Sequence, residues 1–188
     1  QRGVRGFKAD DGEDIKADDV FSDGRRGWQL HNEYSILYAK ALYGLFDEEG
    51  VDAMLWSRSA SLGVEDVPAL WAGDQGASWA SLRSLLPAGL SASISGAPFW
   101  SHDIGGYFGE TTPELYIRWL QFGAFSPLMQ YHGVEPREPW RFGRKAEAAY
   151  RFLSHLRMNL KPTLIALGRE AAETGMPIMR PMALEFPD

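Results

Sequence analysis

The feature that most constrains the fold is an alternation. Short β-like apolar runs, each closing on a polar cluster, are separated by longer stretches with helical spacing. The runs cover residues 5–10, 53–58, 67–72, 97–100 and 127–131. After a polar loop over 11–31, Asn32 reads as the N-cap of a helix over 33–48, with Tyr34, Leu37, Ala41 and Leu45 at helical spacing. Gly50 stops it. A second helix is expected over 78–94 with Leu82, Leu85 and Leu86 on one face, and Pro87 as a possible bend. Thr112-Pro113 supplies a cap and first turn for a helix to residue 123. Two more helical stretches, 145–160 and 162–174, end at Gly175.

Five strands with intervening helices describe an α/β chain with a parallel sheet. An open doubly wound sheet gathers its ligands at one switch point. Here polar clusters close every strand, as at the carboxyl face of a (β/α)8 barrel. Such a barrel takes about 250 residues, and this chain has 188. The expectation is the C-terminal portion, about strands 4–8, of a TIM barrel, a fragment of a larger multidomain chain. Its partner would be the missing N-terminal part of the same barrel.

Composition removes several classes. A net charge of −6 argues against a nucleic-acid partner. The absence of cysteine excludes a disulfide framework, a thiolate metal site and a cysteine nucleophile. No apolar stretch approaches a membrane span. Homo-oligomerisation and compartment stay open.

The polar clusters carry the chemistry. In Phe7-Lys8-Ala9-Asp10-Asp11-Gly12-Glu13, strand parity turns Lys8 and Asp10 to one face and Phe7 and Ala9 to the other. With the apolar pair against a helix layer, Lys8 and Asp10 share the barrel mouth. An ammonium beside a carboxylate favours its ionised form, as a nucleophile needs. A solvated acidic loop explains the run equally well. Arg58 ends the Trp56-Ser57-Arg58 strand, where a surface ion pair is the ordinary role. Trp71-Ala72-Gly73-Asp74 sets a carboxylate in a glycine turn beside an indole, the kind of apolar wall that suits a general acid. A helix cap is the competing role for Asp74. Ser101-His102-Asp103 is no catalytic triad, because adjacent side chains on a strand diverge. A metal site from Asp10, His102, Asp103 and His132 lacks a ligand spacing.

Taken together, these motifs resemble glycoside hydrolase family 31, the α-glucosidase and α-xylosidase family, along essentially the whole chain. Phe7 to Glu13 resembles the nucleophile strand in its α-xylosidase-like form. Ser57-Arg58-Ser59-Ala60-Ser61 resembles the strand bearing a substrate-binding arginine. Trp71 to Asp74 resembles the acid/base turn, Phe99 to Tyr107 the next strand end, and His132-Gly133 the last. Arg58 to Asp74, Asp74 to Asp103 and Asp74 to His132 are 16, 29 and 58 residues apart, in keeping with the resemblance.

The resemblance implies a retaining α-glycosidase acting on a terminal α-xyloside or α-glucoside of an oligosaccharide or smaller substrate, with no cofactor and no metal. It implies Asp10 as nucleophile and Asp74 as acid/base. Lys8, Arg58, Asp103 and His132 would bind the sugar, with Trp71 and Tyr107 as pocket walls. Residues 1–175 would form the partial catalytic domain, and 176–188 the start of a connection to a C-terminal β-domain. Ala9, Asp11 and Tyr107 depart from the common pattern without removing a catalytic group. An α-glucosyltransferase, a sulfoquinovosidase-like enzyme, a non-catalytic carbohydrate-binding fragment and a metal-assisted hydrolase are the alternatives.

Overall fold

The computed structural model describes residues 3–63 and 69–187. The chain divides into two units, Gln1–Leu70 and Trp71–Asp188.

In the first unit, β1 (Gly6–Ala9) runs parallel to β2 (Met54–Ser57), with Lys8 opposite Trp56 and Ala9 opposite Ser57. Trp56 and Ser57 in turn face Ala69 and Leu70 of β3 (Ala69–Trp71), also in parallel. The expected strand over 67–72 therefore starts no earlier than Ala69 within the described residues; positions 67 and 68 lie outside them. Helix α1 (Gly27–Glu48) covers one face of this sheet. Ala9, Leu55 and Ala39 form the buried centre, flanked by Tyr38, Leu42, Tyr43 and Phe46. Phe7 meets Phe46 at 5.3 Å between ring centroids. The parity argument thus holds for Phe7 and Ala9, which turn to the helix.

Helix α1 begins at Gly27, six positions before the expected residue 33. Asn32 lies inside it, its carbonyl accepting from Ser35 Oγ. The true start is fixed by tertiary contacts that local spacing does not reveal. The backbone N–H of Gly27 donates to Asp19 and that of Trp28 to Ala17. Gln29 reaches back to accept from the N–H of Arg26 at 2.9 Å. A side chain at Gly27 would place its Cβ 1.9 Å from the Lys16 carbonyl oxygen, so this start requires glycine.

In the second unit the end of β3 leads to Ala72, whose N–H donates to Ser101 in β4 (Phe99–Ser101). Between them runs α2 (Trp79–Ile94), capped by Ser78 accepting from the Ser81 N–H. Its buried stripe is Leu85, Gly89 and Ser93, four residues apart, whereas Leu86 is exposed. Pro87 lies within the helix without ending it. Helix α3 (Pro113–Phe125) starts as expected, with Thr112 accepting from the Leu115 N–H. It buries Leu115, Tyr116, Trp119, Leu120 and Ala124. Helices α4 (Gly143–Asn159) and α5 (Lys161–Thr174) follow a 3₁₀ turn at Pro139–Phe142, and α5 closes on Gly175 in the left-handed conformation. A short α6 (Met182–Glu185) was not foreseen.

The expected fifth strand over 127–131 is not a regular strand. Leu128 donates to Trp100 and Ile104 to Gln130, leaving a single parallel bridge between Asp103 and Gln130. Proline at 127 has no N–H to give a ladder, and the carbonyls of Ala124, Ser126 and Pro127 are taken by the Arg157 guanidinium. No helix among the described residues is long and apolar enough to cross a membrane.

Candidate active site

The first unit contributes Lys8, Asp10 and Arg58. The carboxyl ends of parallel neighbours β1 and β2 bring Arg58 to the loop after β1. There one guanidinium engages three carboxylates: Nη1 meets Asp10, Nη2 meets Asp11 and Nε meets Glu13, each at 2.6 Å. The arginine is mostly buried while Asp10 and Asp11 remain largely exposed. Burial lowers the Arg58 proton affinity, but the Glu13 hydrogen bond and the charges of Glu13 and Asp10 outweigh it and leave it raised. Arg58 is thus a cation beside Asp10 that strand parity, which singled out Lys8, did not reveal. Lys8 is exposed on β1. Asp11 holds φ 63°, and Tyr38 donates to the Asp10 carbonyl at 2.7 Å, so the loop is pinned from both sides.

The second unit holds Trp71, Asp74, Asp103, Tyr107 and His132. Asp74 is exposed on a turn whose Gly73 has φ 75°. It is not the cap of α2, a role taken by Ser78. Trp71 is buried in its strand, 3% exposed. It therefore packs into the unit rather than standing open as a wall. Tyr107 is half-buried and its ring lies 5.0 Å from that of exposed His132, the two forming one edge. Asp103 has no exposed surface, and its Oδ1 accepts from Gln130 Nε2 at 2.6 Å.

His102 is buried and fully engaged. Trp119 Nε1–H donates to Nδ1 at 2.9 Å, so the proton sits on Nε2, which faces Ser126 Oγ at 3.0 Å. The Ser126 hydroxyl in turn donates a hydrogen bond to the Phe122 carbonyl. Burial pushes the imidazole down to about 3, and Phe122 stacks on it at 4.8 Å. With both nitrogens occupied, His102 is not available to the metal set considered from sequence. Among the described residues no group of three acidic or histidine side chains is arranged to hold a metal ion.

Residues the sequence did not single out tie this unit together. Gln130 holds Asp103. Arg137, 6% exposed, donates to the carbonyls of Gly106 and Gly109, each at 2.8 Å. Burial lowers its proton affinity, opposed by the charges of Glu135 and Asp103. An arginine between two prolines, in Pro136-Arg137-Glu138-Pro139, was the available signal, since a rigid loop rarely buries a charge without a task.

Comparison with known proteins adds the wider context. The family model for the glycosyl hydrolases family 31 TIM-barrel domain matches residues 1–167. A probable glucan 1,3-alpha-glucosidase of Oryza sativa subsp. japonica is 41% identical over 85% of this chain and 18% of its own length. The alpha-xylosidase XylQ of Lactiplantibacillus pentosus is 41% identical over 99% of this chain and 25% of its own. The solved structure of a cycloalternan-degrading enzyme from Trueperella pyogenes in complex with covalent intermediate superposes with a TM-score of 0.85 at 33% identity, covering 94% of this chain and 26% of that one. This chain thus spans about a fifth to a quarter of the length of these relatives.

Proposed function

This chain belongs to glycosyl hydrolase family 31, as part of its TIM-barrel domain, and on that premise we propose that its parent protein is a retaining α-glycosidase. Asp10 attacks the anomeric carbon and expels the leaving oxygen, forming a covalent glycosyl-enzyme. Asp74 gives that oxygen its proton, then takes one from the water that hydrolyses the intermediate. The mechanism needs the two carboxyl groups about 5–5.5 Å apart. The observation that carries this reading is the Arg58–Asp10 contact at the ends of β1 and β2. It holds the Asp10 side chain at the strand ends. The name of the Trueperella structure, with its covalent intermediate, supports a two-step route.

Arg58, Lys8, Tyr107 and His132 line the glycone in this reading. Asp103, buried under Gln130, meets a sugar hydroxyl only if the loop exposes its second oxygen on binding. Trp71 supports the wall from behind. Substrates are terminal α-xylosides or α-glucosides, in line with the names of the rice and Lactiplantibacillus relatives. Transfer to a sugar acceptor uses the same residues and differs only in what attacks the intermediate. Residues 1–175 act as part of the catalytic domain and 176–188 begin the connection to a following β-domain.

The test uses the intact enzyme and an aryl α-glycoside. Proton NMR should show the α-anomer released first, and Asp10→Asn should lower turnover by several orders of magnitude, with chelators without effect. Release of the β-anomer first, or full activity in Asp10→Asn, contradicts the assignment.

A further inference from the structure

We propose that Arg137 is a positioning residue for the turn that carries Asp74, an inference that rests on the acid/base reading of Asp74. Arg137 acts through the loop after β4. Its Nε donates to the Gly106 carbonyl at 2.8 Å, and Nη2 donates to Gly109 at 2.8 Å and Tyr107 at 3.4 Å. Nη1 donates to Pro136 at 3.3 Å, tying the fork to its own segment. The loop needs such a brace. Gly105, Gly106 and Gly109 all have φ near the left-handed range, at 93°, 82° and 85°, and no helix or strand ladder fixes them.

The same loop is hooked to the Asp74 turn by its backbone. Tyr107 and Phe108 both donate to the Gln75 carbonyl, at 2.7 and 3.2 Å, and the Phe108 carbonyl accepts from Ala77 at 2.7 Å. A Cβ at Gly106 would come within 2.7 Å of Ala77, so the two backbones are already in direct contact. The Gln75 side chain closes the turn on the Ala72 carbonyl. Asp74 therefore sits between two anchored neighbours, and the far end of that anchorage is the Arg137 fork. A second loop joins the frame: Val134 donates to the Tyr107 carbonyl at 3.0 Å, next to His132. Lysine at 137 would keep the charge but lose the planar fork that serves several carbonyls at once.

A positioned acid matters most when the leaving group is poor. In the intact enzyme, Arg137→Lys should lower kcat/KM on alkyl or oligosaccharide α-glycosides on the order of 10- to 100-fold. On α-glycosyl fluoride or a dinitrophenyl α-glycoside, which leave without protonation, the loss should stay within about threefold. Since a buried arginine can be needed for folding, Glu135→Gln probes it in place. Glu135 is its ion-pair partner at 3.6 Å, and its loss should give the same pattern at smaller amplitude. Equal losses on all leaving groups in either variant, or no loss in both, overturn the proposal. Asp74→Ala run in parallel separates the two readings: if it shows no leaving-group dependence, the acid/base assignment fails and this proposal with it.

Discussion

Two side-chain systems set the chemistry at the scale of residues. Arg58 gathers Asp10, Asp11 and Glu13, so one desolvated cation orders a loop that would otherwise be three repelling carboxylates. Asp11 pays for this with a left-handed backbone, tolerated by aspartate better than by most residues. His102 is the converse case, a base kept neutral by burial with both nitrogens satisfied. Its folded-state value lies near 3 against an ordinary 6.5. The unfolded chain therefore binds a proton that the folded one refuses between those values. The stability contribution is intact above pH 6.5 and is lost as pH falls toward 3. In pH-dependent denaturation, wild type should lose up to about 1.4 kcal/mol per pH unit more than His102→Gln across that window. Parallel slopes would contradict it. The Phe7 and Ala9 face of β1 was legible because parity is a local rule. The Arg58 contact, the Gln130–Asp103 pair and the Arg137 fork were not, because each joins segments more than twenty residues apart.

Elements were read well where local signals agree. Thr112-Pro113 and Gly175 mark helix ends through caps that need no tertiary partner, whereas the cap of α2 is Ser78 and not Asp74. The start of α1 was missed because it depends on Asp19, Ala17 and the close approach of Gly27 to Lys16. The run over 127–131 has the composition of a strand but forms only a bridge, because the proline at its head has no N–H for a ladder. Helix α2 shows how close packing selects one residue. A Cβ at Gly89 would stand 2.7 Å from the ring of Trp100, itself 3% exposed, and equally close to Met179. The methionine end can yield and the buried indole cannot. Gly89→Ala gains about 1 kcal/mol of helix propensity but meets an overpacking cost of about 1–3 kcal/mol. Denaturant melting should show net destabilisation of up to about 2 kcal/mol; a stabilised variant would mean that α2 shifts freely.

At the scale of the whole molecule, the chain reads as part of a larger catalytic barrel. Strand β1 has β2 on one side, and beside it a groove of about 750 Å³ is lined by Phe7, Leu42, Leu45, Phe46, Val51 and Leu55. In the proposed reading a preceding βα unit of the same barrel fills that groove and covers Phe7, which is 45% exposed here. The barrel class was legible in the polar clusters at the strand ends. The central claim is that Asp10 is the nucleophile. Its most direct test is to trap the intact enzyme with a slow fluorinated α-glycosyl fluoride and map the labelled peptide by mass spectrometry. The account predicts one sugar adduct, on Asp10, in the peptide that includes Phe7-Lys8-Ala9-Asp10. A label on any other carboxylate, or none alongside an inverted product, would contradict it.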